Sequence, residues 1–111
     1  MRGNNNMLNE VTLIGRLNDN IKIEKTKDGD EYTIMVLDVP RIIPEKDGSY
    51  KSDIVDVKVE GKDINEISKK LKKADLIGIK GHVSTKKTNT EHRLIEIIAD
   101  QIKYLSGNGK K

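Results

Sequence analysis

The chain has 111 residues, of which 35% are charged and 34% are hydrophobic, so it has room for one hydrophobic core and none for a separate catalytic module. It contains no cysteine, which excludes disulfides, a thiolate nucleophile and a cysteine-based zinc site. No apolar run approaches the length of a membrane span, and the first residues lack the apolar centre of a signal peptide. This composition predicts a cytoplasmic protein without a membrane segment.

The charges are distributed unevenly along the chain. Residues 1–61 contain 9 Lys and Arg against 12 Asp and Glu, whereas residues 62–111 contain 12 against 6, within a net charge of +3. Clustered cations displace the counterions that condense on phosphates, so the second half favours a polyanionic partner. A lysine-rich solvated surface of no specific use would give the same asymmetry, and charge alone leaves both interpretations open.

Alternation of apolar and polar residues predicts strands over most of the chain. The first is NEVTLIGRL (Asn9–Leu17), in which Gly15 interrupts the strand where a tight bend is needed. The strand predicted at residues 32–39 ends at Pro40, because proline cannot donate to a strand ladder. The remaining predicted strands cover residues 21–25, 53–60, 76–86 and 93–105.

Two segments break this alternation. The polar stretch Arg41–Ser52 contains Pro44 and an Asp-Gly pair, which predicts a long hairpin arm of the kind that is usually mobile or functional. In Lys62–Ala74 the apolar residues recur at intervals of three and four, which predicts a helix. Asp63 and Glu66 have the spacing of a capping box at its start.

Four segments in this order resemble bacterial single-stranded-DNA-binding proteins. They are NEVTLIGRL, VKVEGK (57–62), KKADLIGIKGHVSTKK (72–87) and EIIADQIKYL (96–105). The resemblance implies an all-β OB-fold, a five-stranded Greek-key barrel with one helix between strands 3 and 4. It places the OB-fold domain at residues 9–105, between a flexible tail at 1–8 and a short basic tail at 106–111.

The resemblance also implies sequence-independent binding of single-stranded DNA in replication, recombination or repair. Such proteins hold a strand with cations on its phosphates and aromatic rings stacked on its bases. Asp56 replaces an arginine expected from the family pattern, and the four stacking positions correspond to the non-aromatic Ile42, Ile54, Glu60 and Thr88. The matching basic positions are retained as Lys62, Lys73, Lys86 and Lys87, so phosphate contacts are expected to dominate.

Tyr50 is the best remaining stacking candidate, because it lies in the predicted arm among cations. A loop tyrosine packed on its own hairpin is the alternative. Arg16 follows the glycine of the first strand and either reaches a phosphate or covers the rim of the barrel. The predicted nucleic-acid-binding residues are Arg16, Arg41, Tyr50, Lys51, Lys62, Lys73, Lys86, Lys87 and Arg93.

Several alternatives and absences complete the interpretation. The resemblance implies a homo-oligomer, a tetramer or a dimer, and the ending SGNGKK resembles short, divergent paralogues without the acidic recruiting tail. A protein-interaction module with weak or no DNA binding is the alternative function, and RNA binding is a third. No catalytic motif, metal site, cofactor or small-molecule substrate is expected.

Overall fold

The computed structural model describes residues 7–61 and 63–107, and it contains six strands and one helix. The five long strands lie within about two residues of the predicted bounds, because each buries one face and therefore carries a period of two in its sequence. The elements are β1 (Val11–Leu17), β2 (Glu24–Lys25), β3 (Glu31–Pro40), β4 (Ser52–Glu60), α1 (Ile64–Lys70), β5 (Leu76–Lys87) and β6 (Arg93–Ser106).

The strands close into a barrel in the order β1-β5-β6-β4-β3, with β1 returning to pair with β3. All of these pairings are antiparallel except β4 with β6, which are parallel at Val57↔Ile97 and Lys58↔Ile98. The two-residue β2 pairs with the start of β3. A closed five-stranded barrel with a helix between its third and fourth long strands is the OB-fold, as the sequence predicted.

The core is built from alternate residues of the barrel strands. On β3 the inward side chains of Thr33, Met35 and Leu37 are buried, whereas the intervening side chains point outward. The fully buried apolar side chains are Leu17, Met35, Leu37, Val57, Ile64, Ile77 and Ile79. This core fixes the register of each strand, because a slip of one residue would turn the apolar set outward.

Gly15 is required where β1 changes its pairing partner from β5 to β3. Val11–Arg16 pair with β5, and Arg16 and Leu17 then pair with β3. A Cβ atom at Gly15 would lie 2.6 Å from the carbonyl oxygen of Asp38, so no larger residue fits without a backbone shift. The bend predicted at this glycine is therefore the point at which the barrel closes.

Two predictions on local structure were wrong in detail. The strand predicted at 21–25 pairs only at Glu24 and Lys25. The helix predicted at Lys62–Ala74 is limited to Ile64–Lys70, because Leu71 is extended and the Asp75 carboxylate instead accepts a hydrogen bond from the Lys72 amide at 2.8 Å.

The predicted capping box is absent as well. Asp63 occupies the N-cap position of α1, but its side chain makes no capping hydrogen bond. Its φ and ψ of −87° and 6° differ from the extended conformation that capping residues usually adopt. The helix is therefore held mainly by Ile64 and Leu71, which are buried beneath it.

Candidate nucleic-acid interface

The topology places the long arm and the β5–β6 hairpin at the same end of the barrel. The arm (Arg41–Lys51) leads into β4, and the hairpin tip (Lys86–Arg93) leads into β6. Because β4 and β6 are parallel neighbours with Val57 opposite Ile97, both segments enter the barrel from one side and at a similar level. Six of the predicted residues therefore lie at this end of the barrel, namely Arg41, Tyr50, Lys51, Lys86, Lys87 and Arg93.

Two other predicted residues lie at the opposite end. Arg16 pairs with Leu76, the first residue of β5, and its guanidinium donates to the carbonyl oxygen of Ala74 at 2.9 Å. Lys73 follows α1, and its amide donates to the Asn20 side chain at 3.0 Å. An extended strand rises about 3.3 Å per residue, so the length of β5 separates this end from the hairpin tip by roughly 36 Å. Lys62 lies outside the described residues.

The Arg16 side chain links two segments of the chain at the rim of the barrel. Its Nη1 atom also lies 3.3 Å from the carbonyl oxygen of Gly107, so one guanidinium nitrogen joins two distant segments of the chain. These contacts fit the rim role expected for Arg16, and its contact with a phosphate stays a prediction. A phosphate at this position would compete with these two carbonyl oxygens.

The base of the arm is closed by an ion pair that the sequence analysis did not predict. Arg41 Nε and Nη2 donate to the two carboxylate oxygens of Asp53 at 3.0 Å each. This pairing raises the pKa of Arg41, and the hydrogen bond from Arg41 holds the pKa of Asp53 below its usual range. Asp53 therefore engages two of the five N–H groups of Arg41 and competes with a phosphate for this guanidinium.

The arm presents apolar side chains to solvent. Ile42 is 91% exposed, Ile43 is 76% exposed and Tyr50 is 62% exposed. Lys51 lies 3.9 Å from Glu45, a weak contact at the surface. The exposure of Tyr50 is compatible with stacking on a base, and its role in binding stays a prediction.

The turn within the arm is ordered by local hydrogen bonds. The Ser49 hydroxyl and amide donate to Oδ1 of Asp47 at 2.6 and 2.9 Å, and these bonds lower the pKa of Asp47. Gly48 adopts a φ of +88°, which a turn of this shape requires of a glycine. Specific hydrogen bonds therefore hold the turn at the end of the arm.

The hairpin tip concentrates positive charge on one short turn. Lys87 and Arg93 are directly opposite each other in the ladder, and Lys86 is opposite Leu94. Directly opposed residues in an antiparallel pair have Cβ atoms about 4.5–5.5 Å apart, so the two cations repel each other. Within the part of the chain that the structure describes, no carboxylate lies within 4 Å of Lys86, Lys87 or Arg93.

The outer face of β3 and β4 connects with the arm but has a different character. Lys58 lies 5.3 Å from the centre of the Tyr32 ring and 3.6 Å from a carboxylate oxygen of Glu60. The cross-strand pairs of this face are Tyr32↔Glu60, Ile34↔Lys58, Val36↔Asp56 and Asp38↔Ile54. Its three carboxylates outnumber its single lysine, so this face repels phosphate.

Sequence reasoning missed several contributors to these surfaces. Lys58 and Ile34 were not singled out, although the alternation of β3 and β4 places both on the outer face. Ile43 follows Ile42 in a polar stretch just before a proline, and this was the available signal for an exposed apolar arm. The Arg41–Asp53 ion pair carried no sequence signal, since it depends on how the arm closes.

No helix within residues 7–61 and 63–107 is long and apolar enough to cross a membrane. The same residues contain no group of three or more His, Asp or Glu side chains placed to hold a metal ion. His82 and Asp100 form an isolated pair, with Nδ1 of the histidine 2.9 Å from Oδ2 of the aspartate.

Solved structures share the fold of this chain. Wild-type single-stranded DNA binding protein from Thermus aquaticus superposes with a TM-score of 0.76 at 21% identity, over 92% of this chain and 52% of that one. A Plasmodium falciparum SSB, solved in complex with ssDNA, superposes with a TM-score of 0.72 at 22% identity, over 90% of this chain and 96% of that one.

Sequence relatives extend the similarity beyond the fold. A single-stranded DNA-binding protein from Clostridium tetani is 34% identical over 94% of this chain and 74% of its own length. Single-stranded DNA-binding protein 1 from Staphylococcus aureus is 30% identical over 89% of this chain and 66% of its own length. The chain thus spans about two thirds to three quarters of these relatives. Residues 8–105 match the sequence model of the single-strand binding protein family, and the chain belongs to that family.

Proposed function

We propose that the protein binds single-stranded DNA without sequence preference, mainly through phosphate contacts at the end of the barrel formed by the arm and the hairpin tip. The observation that carries the proposal is the direct opposition of Lys87 and Arg93 at the tip. Like charges placed opposite each other destabilise a hairpin. A phosphate between them removes this repulsion, so binding an anion stabilises the tip.

The neighbouring surfaces support a strand that follows the arm and the tip. The exposed ring of Tyr50 offers one stacking site, and Ile42 and Ile43 on the arm offer apolar contacts to bases. Base stacking on an aromatic side chain contributes about 1–3 kcal/mol per base. With one such ring at this end, the interaction depends on phosphates more than on stacking.

Membership of the family supports DNA binding over the alternative of an interaction module that has lost it. The proposal includes a role in replication, recombination or repair and a cytoplasmic location, as the resemblance of the sequence implies. The protein acts in this proposal as a binding protein without catalysis, and its ligand is the nucleic-acid strand itself.

A titration of fluorescent oligo-dT at about 50 and 200 mM salt tests the proposal. Binding to single strands weakens with a slope of about −0.7 per phosphate contact in a plot of log K against log [salt]. The double variant Lys87→Gln/Arg93→Gln removes two contacts, so we expect its slope to be shallower by about 1.4. Oligo-U in parallel separates DNA from RNA as the preferred ligand.

The control variant is Lys22→Gln/Lys25→Gln, which removes the same charge at the opposite end of the barrel. Lys25 pairs with Glu31 at the start of β3, whereas the arm follows the end of β3. We expect this variant to keep the slope of the unmodified protein. Absence of binding at 50 mM salt, or equal slopes for both variants, would contradict the proposed site.

Self-association is part of the same proposal. The segment Val11–Ile14 of β1 pairs only with β5 among the described strands, so its other edge can pair with a second copy. The exposed side chains of Ile14 on β1 and Leu105 on β6 both lie beside Gly78 of β5, near this edge. Light scattering should give a mass that is a multiple of the 12.5 kDa chain, and a monomer mass at micromolar concentration would contradict it.

A further inference from the structure

The β5–β6 hairpin extends beyond the barrel as two strands. β1 pairs with β5 only as far as Gly81, and β4 pairs with β6 only at Ile97 and Ile98. Among the described residues, no third strand pairs with Ser84–Lys87 or Arg93–Glu96. A two-stranded hairpin is only marginally stable by itself. This outer part of the hairpin therefore depends on its attachment to the barrel.

The outer hairpin is ordered within itself and does not bury its apolar side chains on the barrel. Leu94 and Ile95 lie on opposite faces of β6 and are 55% and 72% exposed. At the turn, the amide and the hydroxyl of Thr88 both donate to the carbonyl oxygen of His92 at 2.9 Å. The direction of the hairpin relative to the barrel is therefore set where the two strands leave the barrel.

The side chain of Asn9 binds the hairpin at this point. Its Oδ1 atom accepts a hydrogen bond from the Val83 amide at 2.8 Å, and its Nδ2 atom donates to the Val83 carbonyl oxygen at 2.9 Å. Within residues 7–61 and 63–107, no other residue outside β5, β6 and their turn forms a hydrogen bond with Val83–Ile95. Asn9 is thus the contact that joins the outer hairpin to the start of the barrel.

The two hydrogen bonds continue the β1–β5 ladder through a side chain. The register pairs Val11 with Gly81, so the position opposite Val83 is that of Asn9. Strand β1 begins only at Val11. A side-chain amide offers N–H donors and a carbonyl acceptor, as the main chain does. Asn9 therefore replaces the main chain as the partner of Val83, two residues beyond the last pair of the two strands.

The position of Val83 controls where the tip cations lie, namely Lys86, Lys87 and Arg93. Lys87 follows Val83 by four residues on β5, which corresponds to about 13 Å along an extended strand. A tilt of about 15° at Val83 would move Lys87 by about 3 Å, which is the length of a hydrogen bond. A small change at Val83 is therefore enough to displace the tip cations from a phosphate.

We propose that Asn9 is a positioning residue for DNA binding, because its side chain holds the hairpin in the direction that presents the tip cations to the strand. The inference rests on the proposed function, since the tip cations belong to the proposed site. Asn9 acts through them and makes no contact with the DNA itself. Without its side chain the hairpin samples more directions, and binding must restrict it to one, which lowers the affinity without changing the contacts made.

Titration of fluorescent oligo-dT with Asn9→Ala at several salt concentrations tests the proposal. We expect the affinity to fall by about three- to tenfold, as expected for the loss of one or two hydrogen bonds. The slope of log K against log [salt] should stay that of the unmodified protein, because the same cations contact phosphates once the DNA is bound.

Asn20→Ala is the matched control. Oδ1 of Asn20 also accepts a hydrogen bond from a main-chain amide, that of Lys73 at 3.0 Å, but at the opposite end of the barrel. We expect this variant to keep the affinity of the unmodified protein within about twofold.

A double-mutant cycle separates positioning of the tip cations from a general loss of stability. The triple variant Lys86→Gln/Lys87→Gln/Arg93→Gln has no tip cations to position. Adding Asn9→Ala to it should change the remaining affinity at about 50 mM salt by less than about twofold. If the triple variant binds oligo-dT as tightly as the unmodified protein, the proposed DNA-binding site is wrong, and this result does not depend on Asn9.

Amide hydrogen exchange gives a measure that does not involve DNA. In Asn9→Ala, we expect the amides that pair β5 with β6 beyond Val83 to exchange at least about threefold faster. The amides of Met35 and Leu37 in the core of the barrel should keep their rates, since Asn9 is exposed and does not belong to the core. Light scattering should give the same mass for both proteins.

Three results would overturn the proposal. The first is an affinity of Asn9→Ala within about twofold of that of the unmodified protein. The second is an equal loss of affinity with and without the tip cations, which would show that Asn9 acts independently of them. The third is a loss of the barrel's amide spectrum or a change in mass, which would assign Asn9 to folding or to assembly.

Discussion

We expect Asp53 to restrain DNA binding, because its carboxylate pairs with two of the five N–H groups of Arg41 and offsets the charge of the guanidinium. The pair is bidentate with both distances at 3.0 Å, and about half of each side chain is exposed. We expect Asp53→Asn to strengthen binding of oligo-dT, since an uncharged amide holds the guanidinium less firmly than a carboxylate does. The released guanidinium can then contact a phosphate of a strand that follows the arm.

The expected size of the effect follows from counterion release. One additional phosphate contact makes the slope of log K against log [salt] steeper by about 0.7 for a single strand. Between about 50 and 200 mM salt, the advantage of the variant over the unmodified protein should therefore fall by about 2.5-fold. If the gain in affinity came only from the change in the net charge of the protein, it would be the same with and without Arg41.

Fluorescence anisotropy with oligo-dT at several salt concentrations measures both slopes. Asp28→Asn removes the same charge from the turn before β3 and serves as the matched control. The double variant Arg41→Gln/Asp53→Asn should lose the extra slope. If Asp53→Asn and Asp28→Asn change affinity and slope equally, or if the double variant keeps the steeper slope, Arg41 is not released onto the DNA.

The pH dependence gives a second measure of the same ion pair. The pKa of Asp53 is lowered in the folded protein, so the pair stabilises the closed arm above the ordinary aspartate pKa of about 3.9. This contribution is lost as the pH falls through the lowered value. The difference in affinity between the unmodified protein and Asp53→Asn should therefore be constant near neutral pH and shrink only in acid.

Two further predictions concern the outer face of β3 and β4 and the close packing of β1 at Gly15. Asp56→Lys replaces a negative charge of the β3–β4 face with a positive one. It should strengthen oligo-dT binding and make the slope of log K against log [salt] steeper by up to about 0.7. An unchanged slope would show that the DNA strand avoids this face. Gly15→Ala places a methyl group 2.6 Å from the Asp38 carbonyl oxygen and should cost about 1–3 kcal/mol of unfolding free energy in urea. Gly78→Ala is the control, since its nearest neighbour would be 3.6 Å away, and equal losses for the two variants would refute the close-approach argument.

The strands of the barrel were predictable from sequence, because the pattern that predicts each strand lies within a few neighbouring residues. Each long strand buries one face, and period-two patterning records this directly on β4, where Val55, Val57 and Val59 alternate with charged residues. The end of α1 was not predictable in this way. Periodicity continues through Leu71, whereas the helix stops there because Asp75 organises the following turn.

The site was less predictable, because its residues were identified by charge and their partners lie far away in sequence. Arg16 is satisfied by the carbonyl oxygen of Ala74, a contact that exists only once the barrel has closed. Arg41 is held by Asp53 across the whole arm. Lys87 and Arg93, in contrast, flank a short turn, and their opposition follows from the hairpin itself.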